Sequence, residues 1–348
     1  MRPFLRRLLL TLLILTTGIS LTNASESAAE KEDENRVDIL SKVQNHYKWD
    51  LSPLPFGEVE LPRIFLYDSQ LYVYGSTTAA TASETFTTKD HQVVPADGGH
   101  ITLDLSISTH LLFFWFSALI TMLIFIPLAN RYRKGVGKEK EPKGVFQNMF
   151  EASFIFVRDE VCRENIPDKH YKKFLPYLAT AFFTITFMNL LGLLPWGTSS
   201  TADVTVTASL ALLTFIITQV NASKEHWKEV FWFPGVPSWV RVIMMPIEFI
   251  GLFTKPFALA VRLFANMLSG KILIFSIIGL IFVFAEMFGP AVAYGSSVLW
   301  IAFAVFIYVI KAFVALLQAY IFVMLSALFI GMAMEEHEEH EEVEYAGA

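Results

Sequence analysis

The chain has 348 residues, of which 54% are hydrophobic and only 17% are charged. Soluble globular proteins carry about 25% charged residues, so a disordered chain, a coiled coil and a secreted disulfide scaffold are excluded. The single cysteine, Cys162, cannot form an internal disulfide. The formal net charge of -6 reflects seven glutamates in the last fourteen residues, and the remainder carries no basic field for nucleic acid. The composition predicts a polytopic membrane protein.

Residues 1–24 have the features of a secretory signal peptide. Arg2, Arg6 and Arg7 precede an apolar stretch from Leu8 to Leu21, and small residues follow it at Ala24 and Ser25. An uncleaved first helix is the alternative, although the stretch is short for a span of about 20 residues.

Residues 25–107 are polar and are expected to form a small exported, periplasmic region. Alternating runs such as Ile64-Phe-Leu-Tyr and Tyr72-Val-Tyr-Gly, with the pair Gly98-Gly99, predict short strands and turns. We find no catalytic constellation and no histidines at metal-ligand spacing in this region.

Five hydrophobic blocks follow and predict five transmembrane segments. The first three are Leu111–Ala129, Leu175–Trp196 and Val204–Val220. Residues 144–166 mix aromatic clusters with charges and predict an amphipathic helix on the membrane surface. The basic cluster after the first block (Arg131, Arg133, Lys134, Lys138, Lys140) places that end in the cytoplasm by the positive-inside rule.

The last two blocks, Ile243–Phe288 and Val292–Met334, are unusually long. As helices they would reach roughly 60 Å, twice a hydrocarbon core of about 30 Å. Each block must therefore break into two spans or form one strongly tilted helix. The turn signal Gly289-Pro290 between them favours a hairpin of two long tilted helices.

Six charged residues lie inside these two blocks, where a charge costs about 2.5–3.5 kcal/mol even on lenient insertion scales. They are Glu248, Lys255, Arg262, Lys271, Glu286 and Lys311. At 100° per residue Glu248, Lys255, Arg262 and Asn266 form one polar stripe, and Lys271 projects from the opposite side. Lys311 and Gln318 share a face of the final helix.

Arg262 lies too deep in its block to reach water by snorkelling. Its guanidinium stays protonated at any physiological pH, and it favours the ionised form of an acidic group that passes it. A fixed arginine here would force a passing carboxylic acid to release its proton. It would also block protons from leaking straight past, which suits a stator that faces moving carboxylates.

Four motifs resemble those of subunit a of F-type ATP synthases. They are Arg262-Leu-Phe-Ala-Asn-Met with Lys255-Pro256 upstream, Leu317-Gln-Ala-Tyr-Ile-Phe, Thr201-Ala-Asp-Val-Thr-Val-Thr, and Met188-Asn-Leu-Leu-Gly-Leu-Leu-Pro. The resemblance covers residues 105–340 and keeps the family's order of elements. It implies a bacterial proton-channel subunit of the Fo sector.

The resemblance also implies residue roles. Arg262 would be the stator arginine that faces the c-ring carboxylate, with Asn266 and Gln318 as polar neighbours. Glu248 would belong to the cytoplasmic exit half-channel, and Asn189 and Asp203 match polar positions of the preceding helix pair. Asp203 could equally be the N-cap of the helix that begins near Val204.

The chain departs from the family where acidic or histidine residues commonly line the periplasmic half-channel, because it has Lys271 and Lys311 there. Gly192 stands where some relatives have aspartate. The two lysines either form ion pairs with carboxylates of this chain or a neighbour, which we favour, or relay protons. His110 and Glu286 then become candidates for the periplasmic entry.

We therefore expect an all-α integral membrane protein with five transmembrane segments, a surface amphipathic helix, a long tilted hairpin and a small exported region. Its expected organisation is a signal peptide (1–24), a periplasmic region (25–107), a membrane channel domain (108–334) and an acidic cytoplasmic tail (335–348). It would be a non-catalytic, multi-pass subunit of the bacterial inner membrane, without cofactor or metal. Its expected partners are the c-ring, peripheral-stalk subunit b and lipid, and protons are its only expected substrate.

Several alternatives stay open. The coupling ion would be sodium if the c-ring supplied sodium ligands. A secondary transporter would show inverted repeats, which we do not find, and a plain membrane anchor would not account for Arg262. In the tail, His337 and His340 could bind a metal, but a solvated acidic terminus is favoured.

Overall fold

The computed structural model describes residues 47–50, 57–83, 85–89, 92–135, 144–194, 197–231 and 238–334. The predicted signal peptide and acidic tail lie outside these ranges. The chain divides into two compact units. The first contains the described residues of 1–141, 182–210 and 260–320, and the second those of 142–181, 211–259 and 321–348.

The N-terminal region is built from short strands and one short helix. In chain order they are β1 Lys48–Asp50, β2 Glu58–Glu60, β3 Arg63–Tyr67, β4 Gln70–Tyr74, α1 Thr77–Thr81, β5 Phe86–Lys89, β6 Gln92–Pro95 and β7 Leu103–Asp104. All pairings are antiparallel, in the orders β1-β2, β4-β3-β7 and β5-β6. The prediction of strands here is confirmed, and the all-α class applies to the membrane part only.

A small aromatic core holds these strands together. Phe65, Ala80, Phe86 and Val93 are buried, with ring centroids of Phe65 and Phe86 5.1 Å apart. Strands β3 and β4 are joined by Asp68 and Ser69, both with positive φ. A two-residue turn in which both residues have positive φ has a backbone twist that matches the twist of the strands it connects.

The rest of the described chain is helical. The helices are α2 Thr109–Arg133, α3 Val145–Phe156 with a π-helical continuation Val157–Arg163, α4 Tyr171–Gly192, α5 Val204–Val220, α6 Lys224–Phe231, α7 Ser238–Phe288 and α8 Pro290–Met334. A single 3₁₀ turn, Ser200–Ala202, precedes α5. The predicted surface helix corresponds to α3.

Four helices, α2, α4, α7 and α8, are long and apolar enough to cross a membrane. Helix α5 coincides with the predicted third block but has only 17 residues. The described chain is thus mostly helical with four long apolar helices, and the count of five spans stays a prediction. Helix α4 ends at Gly192, four residues before the predicted end at Trp196.

The last two blocks form two continuous helices and not four shorter ones. Helix α7 continues through Pro246 and Pro256, and α8 contains no interior break. Gly289 has a φ of 85°, which suits glycine at a helix C-terminus, and Pro290 opens α8. Near this turn the rings of Phe284 and Trp300 lie 5.4 Å apart. The prediction of two long helices packed together is confirmed, and their tilt in the membrane stays a prediction.

In the second unit, α8 packs very closely on the backbone that leads into α4. A Cβ on Gly331 would lie 1.7 Å from the carbonyl oxygen of Asn165. The Asn165 side chain donates to the Val161 carbonyl, and the Ser223 N–H donates to the Ala333 carbonyl at 2.8 Å. Only glycine at residue 331 permits this approach.

We expect Gly331→Ala to destabilise the protein, because overpacking against a backbone carbonyl costs about 1–3 kcal/mol or more. Thermal unfolding in detergent, followed by circular dichroism, should show a lowered midpoint. Gly251→Ala is the matched control, since nothing lies within 4 Å of a Cβ there. Equal midpoints for both variants would contradict the close approach.

Candidate functional site

Arg262 lies on an exposed face of α7 in the first unit. Ala265 and Ser269 of the same unit are exposed on the same helical face. Among the described residues, the guanidinium of Arg262 has no carboxylate within the 4.0 Å of an ion pair. The face therefore presents an unneutralised positive charge beside small side chains.

Two polar contacts join α7 and α8 one turn beyond Arg262. The Asn266 side-chain amide donates to Gln318 Oε1 at 2.6 Å, and Lys311 Nζ donates to the Asn266 carbonyl at 2.9 Å. Lys311 and Gln318 contact the same residue because they lie seven positions apart on one helical face. Their predicted shared face is confirmed.

Gly270 makes room for the Lys311 side chain. A Cβ at residue 270 would lie 2.5 Å from Lys311 Cε and 2.6 Å from Nζ. The absence of a side chain here lets the ammonium cross over α7 and reach the Asn266 carbonyl.

A buried amide joins α4, α8 and the loop before α5. Asn189 is fully buried; its Nδ2 donates to the Ala315 carbonyl at 3.0 Å, and its Oδ1 accepts from Thr201 Oγ1 at 2.6 Å. An unsatisfied buried amide would cost about 1–3 kcal/mol. The two hydrogen bonds give the buried amide of Asn189 both a donor and an acceptor partner, and they hold Thr201 beside α8.

His110 holds the same loop from α2. Its Nδ1 lies 2.9 Å from the Ser199 carbonyl, and Ser200 Oγ donates to the His110 carbonyl at 2.8 Å. The imidazole is buried, with 4% of the residue exposed. Gly192 borders this loop so closely that a Cβ would lie 2.6 Å from Ser199 Cα, so an aspartate there would displace the loop.

Three further predicted residues of the first unit lie apart from these contacts. Asp203 Oδ1 accepts the Thr205 N–H at 2.7 Å, the N-cap arrangement of α5. Lys271 is half-buried and has no hydrogen bond or ion pair to the described residues, and Glu286 is exposed near the end of α7. Neither Lys271 nor Lys311 has a carboxylate partner among the described residues.

The N-terminal region contacts the start of α2 in the first unit. The Trp49 ring packs against those of Phe113 and Phe116, with centroids 5.5 and 6.1 Å away. The buried guanidinium of Arg63 lies 3.5 Å from the centre of the Tyr47 ring. Burial, followed by the charge of Asp104, raises the pKa of Tyr47 to about 12, so its hydroxyl stays protonated.

Glu248 lines a cavity of about 130 Å³ within the second unit. The other lining residues are five polar or charged ones and five apolar ones: Thr214, Thr218, Gln219, His226 and Lys255, and Phe215, Leu252, Pro256, Phe329 and Met332. Two members of the predicted stripe on α7, Glu248 and Lys255, thus face one cavity. Lys255 Nζ also lies 6.0 Å from the centre of the Phe329 ring.

Sequence reasoning missed part of both clusters. Ser199 and Ser200 contact His110 from a loop whose conformation the sequence does not specify. Thr214 and Thr218 repeat at helical spacing on an apolar helix, a polar stripe that would have pointed to the cavity. No group of three metal-ligating side chains occurs in the part of the chain that the structure describes.

Comparison with known proteins identifies the family. The family profile described as "ATP synthase A chain" matches residues 111–331. The chain is 39% identical over 311 residues to ATP synthase subunit a of Chloroherpeton thalassium, covering 88% of this chain and 79% of that protein. It is 43% identical over 246 residues to subunit a of Myxococcus xanthus, covering 68% and 77% of the two chains.

A third relative, ATP synthase subunit a of Chlorobium phaeobacteroides, is 45% identical to this chain over 241 residues. The match covers 68% of each of the two chains. These matches confirm the resemblance drawn from the four motifs. The chain belongs to the ATP synthase subunit a family and is a non-catalytic, proton-conducting stator subunit of the Fo sector.

Proposed function

We propose that this subunit carries protons to and from a carboxylate of the rotating c-ring, and that Arg262 is the charge which that carboxylate meets. The observation that carries the proposal is an exposed guanidinium without a carboxylate partner among the described residues. A charge at the bilayer centre costs about 2.5–3.5 kcal/mol, so a neutralising group from another subunit is needed.

The surroundings of Arg262 suit the approach of a partner helix. Ala265 and Ser269 share its exposed face, and small residues let helix backbones come close within a membrane. A c-ring helix that carries one carboxylate matches this surface in both shape and charge.

Arg262 acts because it keeps its charge while its partner changes charge. An arginine cannot be deprotonated in a protein, so a carboxylic acid that comes close is favoured to release its proton. When the ring carries that carboxylate away into hydrocarbon, desolvation favours the protonated form. Each ring carboxylate must therefore give up a proton before Arg262 and take one up after it.

Entry and exit are assigned to separate clusters. We place His110, Asn189, Asp203, Lys271 and Glu286 of the first unit on the periplasmic entry side. Glu248 and its cavity in the second unit are placed on the cytoplasmic exit side. Basic residues support this orientation: Arg131 and Arg133 end α2, and Lys224 and Lys228 lie on α6.

The same orientation puts the N-terminal region in the periplasm and the C-terminus in the cytoplasm. The c-ring, peripheral-stalk subunit b and membrane lipid are the proposed partners, in the bacterial inner membrane. Residues 1–24 stay a proposed signal peptide.

Lys311 is proposed as a positioning residue for Arg262 and not as a proton relay. Its Nζ already donates to the Asn266 carbonyl, one turn from Arg262, so it stiffens the backbone that carries the guanidinium. A relay would need the ammonium to release protons repeatedly, which would each time replace this charge-assisted hydrogen bond by a weaker neutral one. Lys271, which makes no contact of that kind with the described residues, stays the candidate for a partner on another subunit.

Arg262→Ala should abolish ATP-driven acidification of inverted membrane vesicles, because nothing then forces the ring carboxylate to release its proton. Passive proton permeability should rise in the same vesicles. Assembly is verified by co-purification with the c-ring, and Arg133→Ala, at the exposed end of α2, is the control. Normal coupled pumping in the assembled Arg262→Ala complex would refute the stator role.

Gly270→Ala should lower coupled pumping several-fold without preventing assembly, because the new methyl group displaces the flexible Lys311 side chain from Asn266. In a Lys311→Ala background, Gly270→Ala should cost little more, since its methyl group occupies vacated space. Gly279→Ala, with nothing within 4 Å of its Cβ, is the control. Fully additive losses of Gly270→Ala and Lys311→Ala would rule out the positioning role.

A further inference from the structure

Besides Glu248 and Lys255, a third titratable side chain lines the cavity: the imidazole of His226, which belongs to the short helix α6. Residue 226 attracts no attention in the sequence, since it is the single histidine of a charged segment, Lys224-Glu-His-Trp-Lys. In the structure it faces the same space as Glu248 and Lys255. The three groups belong to one unit, so their common cavity is a property of that unit alone.

The cavity has the properties of a water-filled space. Its volume of about 130 Å³ holds on the order of four water molecules at roughly 30 Å³ each. Gln219 Oε1 is buried at this lining and has no hydrogen-bond partner among the described residues. A buried acceptor without a protein partner is normally bonded to water, so water is the expected occupant.

Among the described residues that line the cavity with His226, the two other charged side chains, Glu248 and Lys255, come from α7. Glu248 attracts a positive charge on the imidazole, whereas Lys255 repels it. Helices α5 and α8 contribute only uncharged side chains to the lining: Thr214, Phe215, Thr218, Gln219, Phe329 and Met332. On α6 itself the neighbouring charges are Glu225 and Lys228, which lie 3.9 Å apart as an ion pair.

We propose that His226 exchanges protons between cytoplasmic water and Glu248 through the water of this cavity, an inference that rests on the proposed exit path. Imidazole is the side chain whose unperturbed protonation changes between pH 5 and 8. In the pumping direction, an imidazole nitrogen takes a proton from a hydronium ion and leaves water. The resulting imidazolium passes one proton through water to the Glu248 carboxylate and returns to neutral imidazole. The Glu248 acid releases that proton towards the ring.

The test uses ATP-driven acidification by the intact complex in inverted vesicles, whose cytoplasmic side faces the buffer. His226→Gln should reduce the initial rate several-fold at pH 8 and much less at pH 6, because hydronium is scarcer at high pH. His226→Asp, which keeps a titratable group, should recover part of the rate at pH 8. His170→Gln, a half-buried histidine outside the cavity, should keep the wild-type profile.

A wild-type pH profile for His226→Gln in an assembled complex would overturn the proposal. Equal losses at both pH values, with no recovery by His226→Asp, would also overturn it and indicate a structural role. Arg262→Ala is measured in the same vesicles. If it loses pumping while His226→Gln behaves as wild type, only the inference fails; if it pumps normally, the proposed function itself fails.

A second variant covers the case in which His226→Gln does not assemble. Met332→Cys, in a Cys162→Ser background without other cysteines, places one thiol at the cavity lining. A charged, membrane-impermeant thiol reagent added to the buffer should then inhibit pumping, more strongly at pH 8 than at pH 6. Complete labelling without inhibition would overturn the proposal.

Discussion

A guanidinium that cannot lose its charge, placed on an apolar helix, is the constraint on which the rest of this structure depends. In the role proposed for Arg262, neutralising it within the chain would satisfy the electrostatics but would leave nothing for a ring carboxylate to meet. Among the described residues Arg262 is exposed, and the polar contacts between α7 and α8 lie next to it, at Asn266. A charge meant for a moving partner has to be held in place by neighbours that do not neutralise it.

The contacts among Asn266, Gln318 and Lys311 meet that requirement. A hydrogen bond between two side-chain amides and one from an ammonium to a carbonyl connect α7 with α8. Neither places a negative charge near Arg262. Both are strong where water is excluded, because the low dielectric strengthens hydrogen bonds and penalises their loss. The lysine at residue 311 is thus consistent with the proposed role of Arg262, because an acidic residue there would compete with a ring carboxylate for the guanidinium.

Periodicity and charge predicted much of this arrangement, because the membrane makes both unusually informative. The two long helices, the turn at Gly289 and the common face of Lys311 and Gln318 all followed from helical geometry and hydrophobic length. The cost of a charge inside an apolar helix singled out Arg262, whose role as the stator charge stays a prediction. The strands of the N-terminal region followed from alternation in β3 and β4, although their pairing did not.

The remaining features depend on contacts between residues far apart in the chain, which no local pattern specifies. Nothing in the sequence shows that Gly270 leaves space for Lys311, or that Gly331 lies against the Asn165 carbonyl. The carboxylate partners expected for Lys271 and Lys311 are absent from the described residues, because a backbone carbonyl serves Lys311 instead. His226 was overlooked for the same reason: it is a single histidine in the charged segment Lys224–Lys228, and only folding brings it to the cavity of Glu248.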